Sequence, residues 1–219
     1  FVPIHWGKNQ KGMQAYEEVS PDVCKEAEEV WRTAARAAAI VAEELTKLEL
    51  HKQIANRILE PYLWHTAIIT ATQWENFFHL RCAPDAEPHI RMIANCMREA
   101  YDSSKPEPKR WGEYHLPLLQ PGIDDELCLE DKVKVCVARC ARVSYLTHDG
   151  RRDVSADLDL YERLVTGGHM SPLEHVATAA PTSMYPDRVW GNFAPGWLQH
   201  RKLVPNECIE ERKSATNGS

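Results

Sequence analysis

Residues 167–178, GGHMSPLEHVAT, bring together side chains that can bind metals, protons or anions. His169, Glu174 and His175 could act as metal ligands, although their spacing differs from the helical H-E-x-x-H pattern of zinc enzymes. Ser171 and Glu174 form an S-x-x-E pattern with proline second, which predicts a capping box at a helix start. Free amides at a helix N-terminus also attract phosphate. The segment therefore predicts a helix cap, a nucleotide pocket or both, with a metal-dependent hydrolase as the alternative.

The composition argues against several classes of function. The chain has 219 residues, a formal net charge of -6 and a pI near 5.9, which disfavours a general nucleic-acid binder. No apolar run approaches the roughly 20 residues that cross a bilayer. The seven cysteines are odd in number and contain no C-x-x-C pair, which is typical of reduced thiols inside a cell. We therefore expect a cytoplasmic protein that binds neither nucleic acid nor membrane.

Helical periodicity dominates the first half of the chain. Ser20 and Pro21 suit the N-cap and first position of a long helix over 19–50. A short helix over 51–61 would be stopped by Pro61.

The rest of this half predicts two further helices after an ambiguous apolar run. Residues 63–70 are apolar and rich in β-branched residues, which predicts either a strand or a buried helix. Residues 71–84 are expected to be helical with Thr72 as the cap, and residues 85–104 form another predicted helix.

The second half adds strand signals. Residues 153–168 predict a helix that is capped by Ser155 and ended by the glycine pair at 167–168. Residues 175–184 read as a strand, and residues 190–207 are aromatic, basic and irregular. Helices with few strands predict an α+β fold, in which helices pack on a small mixed or antiparallel sheet.

We predict a single domain over 1–219. Its parts are a helical block at 1–103, a polar, proline-containing connector at 104–131, and a block with the SPLEH motif at 132–219. Because the chain begins with Phe1, it reads as a piece of a longer protein.

Two blocks of the chain resemble flavin-dependent thymidylate synthases. The first is A-R-V-S-Y at 141–145, followed by a helix and by H-M-S-P-L-E-H at 169–175. The second consists of QIANRILEP at 53–61 and ENFFHLRCAPDAEPHI at 75–90. The blocks stand in reversed order relative to the family, which implies a circular permutation of the viral type.

The resemblance implies a flavoprotein methyltransferase. The family makes dTMP from dUMP with the carbon of methylenetetrahydrofolate, and FAD reduced by NADPH supplies hydride. The implied partners are therefore dUMP, the folate and further copies of the chain, since the family works as a homotetramer with sites shared between chains.

Residue roles follow from the same resemblance. Arg81 would polarise the uracil ring, and Arg57 would make a second contact with dUMP. Arg201 and Glu207 are further candidates for binding dUMP. The residues implied to contact FAD are Thr70, Thr72, Asn76, Ser171, Glu174 and His175.

The family signature R-H-R-x-x-S-x-N-E-x-S-x-R-Y has no intact copy in the chain. Residues 199–201 and 206–207 keep only its H-R and N-E spacing, which implies that the signature precedes Phe1. Two alternatives therefore stay open beside the metal-dependent hydrolase: a non-catalytic nucleotide-binding relative, and an enzyme with a modified pyrimidine product such as a hydroxymethylated nucleotide.

Overall fold

A computed structural model describes residues 1–12, 15–145, 153–181, 183, 191–205 and 207. These residues form two compact units. The first unit comprises Phe1–His65 and Glu75–Ser104. The second comprises Thr66–Trp74 and the described residues from Lys105 onward. The first unit ends where the expected connector begins, and the short segment Thr66–Trp74 belongs to the second.

The first unit is helical. Its long helix α1 spans Pro21–Lys47, and the Ser20 hydroxyl accepts a hydrogen bond from the Val23 amide at 3.4 Å, which confirms the predicted N-cap. Helix α2 spans Lys52–Ala55 and continues as a 3-10 helix, Asn56–Tyr62.

Pro61 lies inside that 3-10 helix, so the prediction that it stops the helix is wrong. Helices α3, Glu75–Arg81, and α4, Pro88–Ser103, complete the unit. Thr72 does not cap α3, because its hydroxyl accepts a hydrogen bond from the Ala194 amide instead.

The described part of the second unit combines two α-helices with the sheet. Helix α5 spans Leu129–Ala141, and helix α6 spans Val154–Thr166. Strands β1, Tyr114–His115, β2, Ala177–Ala179, and β3, Trp197–Gln199, form an antiparallel sheet in the order β1-β2-β3. The α+β class is therefore confirmed, with an antiparallel sheet.

The sheet places strand β2, which directly follows the SPLEH segment, between β1 and β3. Ala177 stands opposite both His115 on β1 and Gln199 on β3, so β2 is the central strand. Within the described part of 175–184, the predicted strand forms at β2 alone, and β3 lies in a segment that was expected to be irregular.

Two other expectations, for residues 63–70 and for the cap of α6, are wrong. Residues 63–70, which follow the 3-10 helix Asn56–Tyr62, form neither a strand nor a helix. Helix α6 is capped by Asp153 rather than Ser155, because the Asp153 carboxylate accepts from the Ser155 amide at 2.9 Å. A carboxylate at this position also complements the positive end of the helix dipole.

The core of the second unit lies between α5, α6 and the SPLEH turn. It is formed by the side chains of Val133, Cys136, Val137, Tyr161, Met170, Leu173, Val176 and Val204. Cys136 and Cys140 lie on α5 as buried thiols, and burial raises the pKa of each to about 12. Among the described helices, none is long and apolar enough to cross a bilayer.

Arg139 is buried beside this core. Its guanidinium donates to Asp157 on α6 at 3.1 Å, to Asp124 at 2.9 Å and to the Leu118 carbonyl at 3.0 Å. Arg142 makes a second contact with Asp157. Asp124 and Asp157 are buried away from water, so their charges depend on Arg139. The network therefore joins the loop before α5 to both helices.

Candidate functional site

The SPLEH motif forms a 3-10 helix, Ser171–His175, that leads directly into β2. Leu173 points into the core and is fully buried, while Ser171 is exposed. The helix begins without a side-chain hydrogen bond at its first turn, so the predicted capping box is wrong. The cause is that the Glu174 carboxylate is engaged elsewhere.

Glu174 contacts Arg201, which also donates to Glu207 at 3.0 Å. Lys202 donates to the same Glu207 carboxylate at 2.7 Å. The Glu207 side chain is only 7% exposed, so its charge depends on these two cations. The Arg201 guanidinium therefore already balances two carboxylates and joins the turn to the segment after β3.

Asn192 connects three segments around the turn. Its amide nitrogen donates to the Thr70 carbonyl and, at 3.1 Å, to the Glu174 carbonyl. Its amide oxygen accepts from Gln199 on β3, and its backbone carbonyl accepts from the Thr72 amide at 3.2 Å. Asn192 thus joins residues 70–72 and the SPLEH turn to the sheet through its side chain and its backbone.

Gly191 makes this arrangement possible. Its φ is +66°, a conformation that side chains disfavour, and an added Cβ would approach the Gln199 amide nitrogen to 3.0 Å. A larger residue at this position would therefore displace the Gln199–Asn192 pair.

His175 lies against residues 70–72 as well. Its Nδ1 is 3.0 Å from the Thr70 hydroxyl. Burial lowers the pKa of His175, and the nearby Glu174 offsets only part of this effect. The imidazole is therefore neutral at pH 7, and one ring nitrogen can accept a hydrogen bond.

A cavity of about 400 Å³ opens beside this arrangement. Its walls are largely aromatic and aliphatic, with two threonines among them, and the lining residues are Ile68, Ile69, Thr70, Ala71, Thr72, Trp74, His115, Pro117, Phe193 and Trp197. The Phe193 and Trp197 rings are 6.0 Å apart and are tilted by 37°. Such walls fit a flat, largely apolar ring better than a compact ion.

His115 is the titratable side chain among those walls. Burial lowers the pKa of His115, and the positive charge of Lys109 adds to this effect, as does that of His175 when it is protonated. The cavity therefore presents a neutral imidazole at pH 7, which can donate or accept one hydrogen bond.

The structure places seven of the expected residues in the second unit and brings six of them together. Thr70 and His175 are hydrogen-bonded, Thr72 lies in the same cavity wall, and Arg201 links Glu174 to Glu207. Ser171 begins the same turn but its side chain faces solvent.

The other three expected residues belong to the first unit and are exposed. Arg57 lies 3.4 Å from Glu60 in the 3-10 helix after α2. Asn76 and Arg81 lie in the first and last turns of α3.

The described residues give no geometric support to a metal centre. Within them, no group of three or more His, Cys, Asp or Glu side chains could hold a metal ion. His169 is exposed, while Glu174 is paired with Arg201 and His175 with Thr70. These three residues are neighbours along the chain, but their side chains do not converge on one point where a metal ion could bind.

Sequence reasoning missed most of the cavity wall and the residue that organises it. Trp74 lines the cavity and donates to the Ala71 carbonyl at 2.8 Å. Asn192, Phe193 and Trp197 lie in the segment that was described only as aromatic and irregular. The aromatic residues clustered in this segment could have indicated the cavity, because aromatic side chains tend to pack against one another or against a ligand.

Comparisons of the chain with protein families, with curated proteins and with solved structures find no match.

Proposed function

We propose that the chain is a flavoprotein methyltransferase of the flavin-dependent thymidylate synthase type, which forms dTMP from dUMP. Its cofactors would be FAD, NADPH and methylenetetrahydrofolate. One observation carries the proposal: the aromatic cavity and the SPLEH turn share Thr70, which lines the cavity and hydrogen-bonds His175. The motif that resembles the family thus adjoins a cavity whose walls suit the ring of a flavin.

The dimensions and chemistry of the cavity support a flavin. A volume of about 400 Å³ lies within the range of ligand cavities in proteins. The cavity wall offers ring faces for stacking from Phe193, Trp197 and Trp74. The Thr72 hydroxyl accepts a hydrogen bond from the Ala194 amide and can donate one to a ligand.

FAD, when bound, would supply the hydride chemistry of the reaction. The side chains of the second unit would orient it. His175 would act as a neutral hydrogen-bonding group, held by Thr70. Glu174 would not carry a free charge toward the ligand, because it is paired with Arg201. Arg201 would therefore stabilise the turn more than it binds dUMP directly.

The roles of Arg57 and Arg81 toward dUMP rest on the resemblance. Both guanidinium groups are exposed, so both can form paired hydrogen bonds with a phosphate or a pyrimidine carbonyl. The proposal includes a homo-oligomer, in which such residues contribute to sites shared between chains.

The first test is the visible absorption spectrum of the purified chain, titrated with FAD and then with dUMP. We expect a shifted flavin spectrum that dUMP perturbs further. Trp197→Leu should weaken FAD binding by about tenfold if stacking contributes roughly 1–1.5 kcal/mol. Trp111→Leu is the matched control, because Trp111 belongs to the same unit but is 66% exposed and outside the cavity. Absence of flavin binding, or equal effects of both variants, would contradict the proposal.

The second test is turnover. The product of dUMP, methylenetetrahydrofolate, NADPH and FAD would be identified by mass, which separates dTMP from a hydroxymethylated nucleotide. We expect Arg81→Ala to abolish product formation.

A second candidate function is nucleotide binding without turnover. It is favoured by the two carboxylates around Arg201, which stands where the sequence keeps an echo of the family signature. A cation that is already paired is less able to stabilise charge on a substrate. This candidate predicts that FAD and dUMP bind and that no product forms.

A further inference from the structure

Helix α1 exposes an apolar stripe that its own unit does not cover. The exposed large side chains of the stripe are Val23 at 47%, Val30 at 64%, Val41 at 50% and, at the C-cap, Leu48 at 72%. Exposed alanines at 34 and 37 lie between them. Ile40, which is 61% exposed, lies on α1 outside the stripe. Isolated exposed apolar residues are ordinary, but several along one face of a helix mark an interaction surface.

This stripe is separate from the face with which α1 packs inside its unit. The packed face includes Trp31, whose indole donates to the Phe1 carbonyl at 3.0 Å and whose ring contacts Tyr62. Ala42, on the same face, is buried. The helix therefore has one apolar surface in use and a second one beside it.

The spacing of the stripe is symmetric. Its residues follow one another at intervals of seven, four, three, four and seven positions, in the order Val23, Val30, Ala34, Ala37, Val41 and Leu48. Steps of three and four are the heptad spacing of helices that pack side by side. Because the series reads the same in both directions, two copies of the helix match when they run antiparallel.

We propose that α1 pairs with α1 of a second copy of this chain, antiparallel about a two-fold axis beside Ala35 and Arg36. Val30 then packs against the partner's Val41, and the reverse contact follows by symmetry. The proposal is independent of flavin binding and of the reaction proposed above.

The centre and ends of the seam fit this pairing. Ala34 faces the partner's Ala37 at the axis, where two small side chains let the helices approach closely. Val23 faces the partner's Leu48 at each end, so the larger side chains fill the wider space. An isologous interface needs this kind of self-complementarity.

The flanks are also complementary. Lys47 and Glu26 occupy the edge positions next to the seam, and the antiparallel arrangement brings Glu26 near the partner's Lys47 twice. Glu44 is the one charged residue in the seam. It faces the partner's Ala27, near the end of the helix, and it is paired with Lys47 of its own chain at 2.7 Å.

The mass of the chain in solution tests the interface directly, and sedimentation measures it without any ligand. We expect a dimer or a larger even-numbered assembly at micromolar concentration. Ala34→Glu brings two carboxylates together at the axis, and should raise the dissociation constant roughly 100-fold and halve the mass. Ala39→Glu is the matched control, because it makes the same change at an exposed position of α1 outside the stripe.

A cross-link tests the direction of pairing. In the double variant Val30→Cys/Val41→Cys, mild oxidation should join residue 30 to residue 41 of the other copy, and peptide mapping distinguishes this link from those of native cysteines. Links of 30 to 30 and of 41 to 41 would overturn the antiparallel arrangement. A monomeric native chain, or an Ala34→Glu variant that keeps its mass, would overturn the interface itself.

Discussion

The two units differ in what they bury. Among the described residues of the first unit, the buried hydrophobic ones are three alanines and one larger side chain, Phe78. Those of the second unit include Leu173, Leu198 and a run of valines, with a charged network beneath them. The second unit therefore has an apolar interior of its own, whereas the first leaves most of its large apolar side chains exposed.

This difference indicates two kinds of stability. Complete burial of a valine or leucine contributes about 1.5–3 kcal/mol, so the second unit gains most of its stability from internal packing. The first unit has unused apolar area on α1 and on α4, where Ile90 is 46% and Ile93 is 53% exposed. It gains stability when another surface covers that area. The stability of the first unit should then depend on protein concentration, and that of the second should not.

The sharpest contrast comes from one arginine in each unit. Arg139→Ala leaves Asp124 and Asp157 buried without their main cation, which should cost about 3–5 kcal/mol of the free energy of unfolding. Arg32→Ala removes an exposed pair with Glu28 on α1 and should cost about 0.3–0.5 kcal/mol. Hydrogen exchange of α5 and α1 peptides during urea titration measures both. Similar losses in the two variants would contradict the contrast between the interiors.

His200 supplies a pH dependence that belongs to the second unit. Burial lowers its pKa to about 4, while its Nε2 lies 3.0 Å from the Tyr161 hydroxyl. Between pH 6.5 and 4, His200 is protonated in the unfolded chain but stays neutral in the folded chain. Stability should thus fall by up to roughly 3 kcal/mol as the pH drops from 6.5 to 4, and should level off below 4.

Replacement of the imidazole isolates this effect. His200→Gln keeps a polar group that can reach Tyr161 but does not titrate, so the part of the pH dependence due to this residue should disappear. Denaturant midpoints measured across that pH range, with exchange of α6 amides as the local probe, would show it. An unchanged pH profile in His200→Gln would assign the loss to other groups.

The sequence predicted the helices better than the site. Helices with clear periodicity and a cap, such as α1 with Ser20, were found because short-range hydrogen bonds decide where they begin. The SPLEH turn was misread, because Glu174 pairs with Arg201 from a distant segment. No local pattern contains the information that such a long-range ion pair outcompetes a capping box.

The cavity wall was equally hidden from local patterns. Residues 66–74 join the second unit although the neighbouring stretches belong to the first, and Asn192 holds them there across more than a hundred positions. Their apolar run was interpreted as a strand or a buried helix, since periodicity cannot reveal a segment fixed by side-chain hydrogen bonds.

Asn192→Ala tests whether that single side chain organises the site. It removes the donors to the Thr70 and Glu174 carbonyls and the acceptor for Gln199, and should cost about 1–3 kcal/mol. The loss should be confined to peptides around 66–74 and 171–179 in hydrogen exchange, with α1 unaffected. Asn76→Ala, an exposed position on α3, is the control and should change neither set.

The smallest expected effects distinguish two serines that precede helical segments. The Ser20 hydroxyl accepts from the Val23 amide and caps a 27-residue helix, so Ser20→Ala should cost about 1 kcal/mol. Ser171 is exposed and the turn after it begins without a side-chain cap, so Ser171→Ala should stay within about 0.5 kcal/mol of the native chain. Thermal and urea denaturation of the two variants in parallel measure the difference. A loss near 1 kcal/mol for Ser171→Ala would mean that the capping box forms in solution, and that Glu174 exchanges between the turn and Arg201. Equal stability together with weaker flavin binding would instead mean that the hydroxyl is free for a ligand, because an exposed serine that stabilises nothing in its own turn is available to one.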